Sequence, residues 1–166
     1  MDAGNLVALL RENKFFIATA ESCTGGLISK MLTDVSGSSA CFAYGFVTYS
    51  NEAKTRLLGV PEGLLERHGA VSKPVALAMA QGALVFSGAD LALAVSGIAG
   101  PEGGSEEKPV GLVFIAFAWD DGNQCRRYQF RGNREEIRRQ TLKEALLWAE
   151  ELVKELELKK GEKTNA

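Results

Sequence analysis

Short apolar runs alternate with amphipathic segments along most of the chain, and this alternation restricts the possible folds most. Residues 15–20 and 91–95 have the length and apolar content of buried strands, whereas residues 73–86 place apolar side chains at helical spacing. Near the end, the strand-like segments 110–119 and 124–130 flank an Asp-Gly pair that favours a hairpin. The pattern predicts an α/β protein whose mixed sheet is covered by helices on both faces.

Length and composition indicate one globular domain. The chain has 166 residues, of which 46% are hydrophobic and 24% are charged, and a chain of this kind can bury a single core. We therefore expect one domain over residues 1–166, with a frayed tail from about residue 160. The sequence has no run of about 18 apolar residues and no signal-peptide pattern, so we expect a cytoplasmic protein that makes no membrane contact.

Charge and the scarcity of ligating side chains narrow the classes of ligand. A net charge of −2 lacks the basic excess that binding to a phosphate backbone requires, so nucleic acid is not an expected partner. The three cysteines are widely spaced and there is one histidine, which suits neither a disulfide framework nor a zinc site. We expect reduced thiols, no metal and no cofactor.

Two glycine-containing segments follow predicted strands and are candidate ligand loops. Thr24, Gly25 and Gly26 stand where a strand turns into a helix, so their backbone amides could bind a phosphate or carboxylate; a simple helix cap explains them equally well. The loop from Ser96 to Ser105, with Gly97 and Gly100, leaves the end of a buried strand. Loops of this length inside a compact domain are usually functional, which favours binding over a passive connection.

A hydroxyl and an amine flank the strand predicted over residues 42–50. Ser39 precedes the strand, whereas Tyr49 ends it and Lys54 follows it. A buried lysine beside a serine has a lowered pKa, so its neutral amine can remove the hydroxyl proton. Spacing alone favours a solvated lysine, because most lysines are exposed and only tertiary folding can bring the two groups together.

The last third of the chain adds a basic cluster and a long helix. Asn133 and Glu136 form a capping-box pattern that predicts the start of this helix. One member of the cluster could bind a phosphate with two hydrogen bonds if it points inward, although most of these arginines are expected to be solvated. The cluster consists of Arg126, Arg127, Arg131, Arg134, Arg138 and Arg139. The apolar stripes of the same helix leave a homo-oligomer possible.

Three segments together resemble one known family. They are residues 20–26 (AESCTGG), 45–54 (GFVTYSNEAK) and the glycine-rich stretch 97–111, and the similarity extends over nearly the whole chain. The family is that of the nicotinamide-nucleotide amidohydrolases, also known as the carboxyl-terminal domain of the competence and damage-inducible protein CinA. The resemblance implies a three-layer α/β/α sandwich that hydrolyses nicotinamide mononucleotide to nicotinate mononucleotide and ammonia without a metal.

The resemblance also assigns catalytic residues. It implies a serine–lysine dyad at Ser39 and Lys54 with Tyr49 beside it, and Ser22 is the rival nucleophile. Ser22 and Ser96 otherwise count among the residues that recognise the substrate.

The arginine of the family site corresponds best to Arg134, with Arg138 as the alternative. Two further classes remain open from the sequence: a nucleotide-binding module that has lost catalysis, and a structural partner protein. Release of ammonia from nicotinamide mononucleotide separates the first from an enzyme, and the absence of any nucleotide effect on thermal stability identifies the second.

Overall fold

The computed structural model describes the backbone of residues 3–164 and the side chains of residues 3–159. Within that range the chain forms, in order, α1 (Gly4–Glu12), β1 (Ile17–Glu21), α2 (Leu27–Thr33), a 3-10 helix (Ser38–Ala40), β2 (Phe42–Val47), α3 (Asn51–Leu58), α4 (Glu62–His68), α5 (Lys73–Ser87), β3 (Leu91–Gly97), β4 (Leu112–Trp119), β5 (Gly122–Gln129) and α6 (Arg134–Thr164). Helix α6 therefore continues through residues 160–164, where the sequence predicted a frayed tail, and the last two residues lie outside the described part.

The five strands form one mixed sheet in the order β2-β1-β3-β4-β5. Strands β2, β1 and β3 run parallel, and β4 and β5 are antiparallel to their neighbours. The predicted hairpin joins β4 to β5, with Trp119 paired to Gly122 across a two-residue turn. The mixed sheet expected from the sequence is confirmed.

Separate hydrophobic clusters cover the two faces of the sheet. One joins α1, α2 and α6 to the sheet through residues such as Leu10, Ile28 and Leu146. The other joins the sheet to α3, α4 and α5, and the fully buried hydrophobic side chains that β3 and β4 contribute to it are all alanines. Small side chains let a helix approach closely, which explains why α5 packs directly on the middle strands. The three-layer α/β/α prediction is confirmed.

Strand direction determines where the functional loops meet. Glu21, the last residue of β1, is paired with Val47 at the end of β2 and with Val95 near the end of β3. The backbone N–H of Thr48 donates to the Glu21 carbonyl at 2.9 Å, which ties the first two strand ends together. The segments that follow the three parallel strands consequently share one edge of the sheet, as in other open α/β sheets.

Among residues 3–164, no helix combines the length and the apolar character needed to cross a membrane.

Candidate active site

Lys54 is buried at the carboxyl-terminal edge of the sheet, although it lies on a short surface helix. Helix α3 begins after Ser50, whose Oγ accepts from the N–H of Ala53 at 3.0 Å. This start directs Lys54 toward the protein interior, where it is 1% exposed. Its Nζ donates to the carbonyl oxygens of Thr48 at 2.9 Å and Tyr49 at 3.2 Å, and lies 3.1 Å from the Oγ of Ser22.

The surroundings of Lys54 disfavour its charged form. Burial lowers the pKa of the ammonium, because removal from water penalises a charge, and the neighbouring Cys23 opposes this effect. None of the ion pairs formed by residues 3–159 includes Lys54. A larger share of the side chain is therefore in the neutral, basic form than in an exposed lysine.

Ser22 presents the only side-chain hydroxyl that Lys54 contacts within the described part of the chain. It follows β1 directly, and its backbone N–H donates to Val95 at 3.1 Å, so the end of β3 fixes its main chain. The turn that follows contains Gly25 and Gly26 with φ of 58° and 97°, values that glycine adopts without strain. These constraints place the hydroxyl beside the amine.

The expected pairing of Ser39 with Lys54 is wrong. Ser39 is exposed and lies in the 3-10 helix before β2, whereas Lys54 follows the opposite end of that strand. The six residues of β2 rise about 3.3 Å each, which separates its two ends by roughly 17 Å. The rival serine, Ser22, occupies the position beside the amine.

The predicted anion site at the start of α2 is already filled by the protein itself. The Glu21 carboxylate, fully buried, accepts from the N–H groups of Gly26, Ile28 and Ser29 at 2.8–3.0 Å and from the Ser29 hydroxyl at 2.7 Å. The Gly25 N–H donates to the Ser22 carbonyl. Neither glycine amide is left for a phosphate, so the expectation that Gly25 and Gly26 bind one is wrong.

Two backbone amides that follow Ser22 in the chain donate to no other residue. Within the described residues, the N–H of Thr24 has no hydrogen-bond acceptor, and that of Cys23 interacts only with its own thiol. Both directly follow Ser22 in the chain and precede α2. Free amides in this position are suited to binding an oxygen that carries developing negative charge.

A cavity of about 260 Å³ opens above Ser22 and Lys54. The glycine-rich loop after β3 forms one wall and contributes Gly97 and Gly100. Ser96 also lines the cavity, but it is 1% exposed and its Oγ donates to the Ala70 carbonyl at 2.7 Å. Ser96 therefore ties β3 to the loop before α5 in this structure.

Arg134 bridges two sides of the cavity. The predicted capping box is confirmed, since Asn133 and Glu136 each donate a backbone N–H to the side chain of the other. It fixes the first residue of α6, Arg134, whose guanidinium donates to the Gly100 carbonyl and to the Tyr49 hydroxyl, both at 2.9 Å. These contacts bring Tyr49 and Arg134 together at the cavity.

Arg138 lies one turn further along α6. It donates to the Thr24 carbonyl at 2.7 Å and thus holds the turn after Ser22 from the side of α6. A neighbouring groove of about 410 Å³ is lined by Arg134 and Arg138 together with Leu27, Glu135 and Arg139. Arg134 therefore lines both the cavity and this groove, and Arg138 lines the groove.

Several residues of the site were not singled out from the sequence. Glu21 lies in the AESCTGG segment of residues 20–26, but its spacing to Gly26 does not predict a hydrogen bond between the two residues. Cys23 is buried, and burial raises the pKa of its thiol to about 12, so the thiol stays protonated at neutral pH. Glu102 is exposed and lines the cavity. The described residues contain no cluster of three His, Cys, Asp or Glu side chains placed as metal ligands.

The sequence is similar to curated bacterial proteins. It is 57% identical over 135 residues to the "Nicotinamide-nucleotide amidohydrolase PncC" of Escherichia coli (strain K12), covering 80% of this chain and 82% of that protein. It is also 57% identical over 143 residues to a "CinA-like protein" of Geotalea uraniireducens, covering 86% of this chain and 34% of that protein. The chain thus spans about a third of the length of the CinA-like relatives.

Solved structures share the fold. A CinA superfamily protein from Klebsiella pneumoniae 700603 has a TM-score of 0.89 at 34% identity, over 92% of this chain and 96% of the other. A competence/damage inducible protein from Agrobacterium tumefaciens has a TM-score of 0.84 at 44% identity, over 89% and 95% of the two chains. The model of the CinA C-terminal domain family matches residues 2–153. The chain therefore belongs to the CinA C-terminal domain family.

Proposed function

We propose that this chain is a serine amidohydrolase that converts nicotinamide mononucleotide to nicotinate mononucleotide and ammonia. The observation that carries the proposal is the Ser22 hydroxyl, 3.1 Å from the buried amine of Lys54 at a cavity. The name of the Escherichia coli relative supports the choice of substrate, since the two chains are 57% identical over most of their lengths.

Lys54 acts as the general base in this proposal. A neutral amine has two N–H bonds and one lone pair, and the side chain has three neighbours. The two N–H bonds suit the carbonyls of Thr48 and Tyr49, which can only accept, and the lone pair then faces the Ser22 hydroxyl. Burial lowers the pKa of this amine, which raises the fraction of the neutral base without the help of a histidine.

The reaction proceeds in two steps that share these groups. The Ser22 Oγ attacks the carboxamide carbon while Lys54 takes its proton, and the N–H groups of Cys23 and Thr24 bind the oxyanion. Lys54 returns the proton to the amide nitrogen, the C–N bond breaks, and ammonia leaves an ester on Ser22. Water then attacks the ester with Lys54 again as base, which releases the carboxylic acid and restores the hydroxyl.

The phosphate of the substrate binds Arg134 in this proposal. Its guanidinium can make two charge-assisted hydrogen bonds to a phosphate, and it already reaches the cavity from α6. Arg138 in the adjoining groove is the second donor. Tyr49, bonded to Arg134, positions the guanidinium, and its own carbonyl helps to hold Lys54.

An ammonia-release assay on four proteins tests the function and the dyad together. Wild-type protein should release ammonia from nicotinamide mononucleotide, whereas Ser22→Ala and Lys54→Met should lose at least about 100-fold in kcat. Ser39→Ala is the matched control, because this exposed serine lies beyond the other end of β2, and it should keep wild-type activity. Loss of activity in Ser39→Ala with full activity in Ser22→Ala would refute the assignment. Nucleotide binding without ammonia release by the wild type would identify a non-catalytic module.

A further inference from the structure

Glu21 differs from every other acidic side chain in the described part of the protein because it alone is fully buried. Its two oxygens accept four hydrogen bonds, from the N–H groups of Gly26, Ile28 and Ser29 and from the Ser29 hydroxyl. The nearest of these donors is five residues away along the chain. The residue just before the proposed nucleophile thus holds the far end of the turn that carries it.

The main chain of Glu21 is linked to the other half of the proposed dyad through Thr48. Its carbonyl accepts from the Thr48 N–H at 2.9 Å, and the Thr48 carbonyl accepts from the Lys54 amine at 2.9 Å. One residue therefore connects the turn of Ser22 to the support of Lys54. We propose that Glu21 is a positioning residue that keeps the Ser22 hydroxyl within reach of Lys54, an inference that rests on the proposed function.

A carboxylate is the group that these four donors require. Two carboxylate oxygens offer about four acceptor sites, which matches the number of hydrogen bonds that Glu21 accepts. A glutamine of the same shape has one acceptor oxygen, and its amide N–H groups would face the N–H donors. Some donors in the buried turn would then lose their partners, at a cost that the turn can relieve only by shifting. A shift of this turn moves Ser22, whereas the glycine loop and Arg134, which line other sides of the cavity, do not belong to the turn.

The experiment compares Glu21→Gln with Glu62→Gln, which changes an exposed carboxylate in the first turn of another helix. Both proteins are first checked for folding by circular dichroism. Folded Glu21→Gln should show a kcat at least about 10-fold lower at unchanged KM, because misplacement by about 1 Å of a reacting group costs up to about 100-fold. Glu62→Gln should match the wild type. A folded Glu21→Gln protein with wild-type kcat would overturn the proposal.

A second measurement does not depend on the substrate. A small fluorophosphonate reacts with activated serines, and mass spectrometry locates the label. Wild-type protein should be labelled at Ser22, and Glu21→Gln should be labelled at least about 10-fold more slowly. Labelling of Ser22 in the wild type without ammonia release would exclude the proposed substrate but would not contradict the role of Glu21. Equal labelling rates in the two proteins would discard that role.

If Glu21→Gln does not fold, the same measurements are made on Glu21→Ala in the presence of formate. Formate can accept from the same donors in the space left by the deleted side chain. Recovery of both folding and Ser22 labelling with increasing formate is the expected result. Recovery of neither, or of folding alone, would overturn the proposal.

Discussion

Replacement of Gly82 by alanine should destabilise the protein, although alanine is the better helix former. Gly82 lies within α5, and a Cβ at this position would lie 2.7 Å from the carbonyl carbon of Leu58 and closer still to its oxygen. Ordinary contacts begin at 3.4 Å, so α3 must move away at its last residue. The expected gain of about 1 kcal/mol from helix propensity is then outweighed by overpacking, which costs about 1–3 kcal/mol and occasionally more.

The magnitude can be measured against a control in the same protein. Gly63 lies in α4 and is exposed, and a Cβ added there would meet no neighbouring atom within 4 Å, so Gly63→Ala should gain up to about 1 kcal/mol. A net loss of about 2 kcal/mol in Gly82→Ala lowers Tm by about 4–8 °C for a chain of this size. Thermal unfolding followed by circular dichroism measures both variants. Equal stabilisation of the two would refute the packing of α3 against α5.

Three further predictions concern the chemistry of the cavity. Burial lowers the pKa of Lys54, and the neutral amine is the active form. The value of kcat/KM should therefore rise with pH and level off below the ordinary lysine pKa of about 10.4. A kcat/KM that levels off only at or above that pH would contradict the role of Lys54. Cys23→Ala should keep kcat within about three-fold, since a thiol with a pKa of about 12 is protonated at neutral pH and reacts poorly; inactivation of the wild type by iodoacetamide at Cys23 would contradict this. Glu102 lines the cavity and would attract the cationic pyridinium ring of the proposed substrate, so Glu102→Gln should raise KM by about 2- to 5-fold at low salt and less at high salt. An effect on KM unchanged by salt would exclude electrostatic attraction.

The sheet and its two helical layers could be predicted from the sequence because the spacing of hydrophobic residues distinguishes strands from helices. Residues 91–95 are apolar without interruption, as a strand covered on both faces requires, and the Asp-Gly signal lies at the β4–β5 turn. The capping box at Asn133 also predicted the start of α6 correctly. These features depend on neighbours within a few residues in the chain.

The dyad could be predicted only in part, because it depends on strand direction. Lys54 follows β2 and Ser22 follows β1, and parallel pairing of the two strands brings their carboxyl ends together. Ser39 precedes β2 and so had to lie at the other edge. An extended strand separates Ser39 from Lys54 whatever its pairing. The bonds from the Glu21 carboxylate to the start of α2 depend on the path of a turn and could not be predicted from residue spacing.

The bridge made by Arg134 links parts of the protein that are far apart in the chain. Its partner Tyr49 is 85 residues away and its partner Gly100 is 34 residues away, whereas Ser22 and Lys54 are 32 residues apart. Closing longer loops costs more chain entropy. A polypeptide emerging from the ribosome therefore contains both members of the dyad long before it contains the residue that spans the cavity.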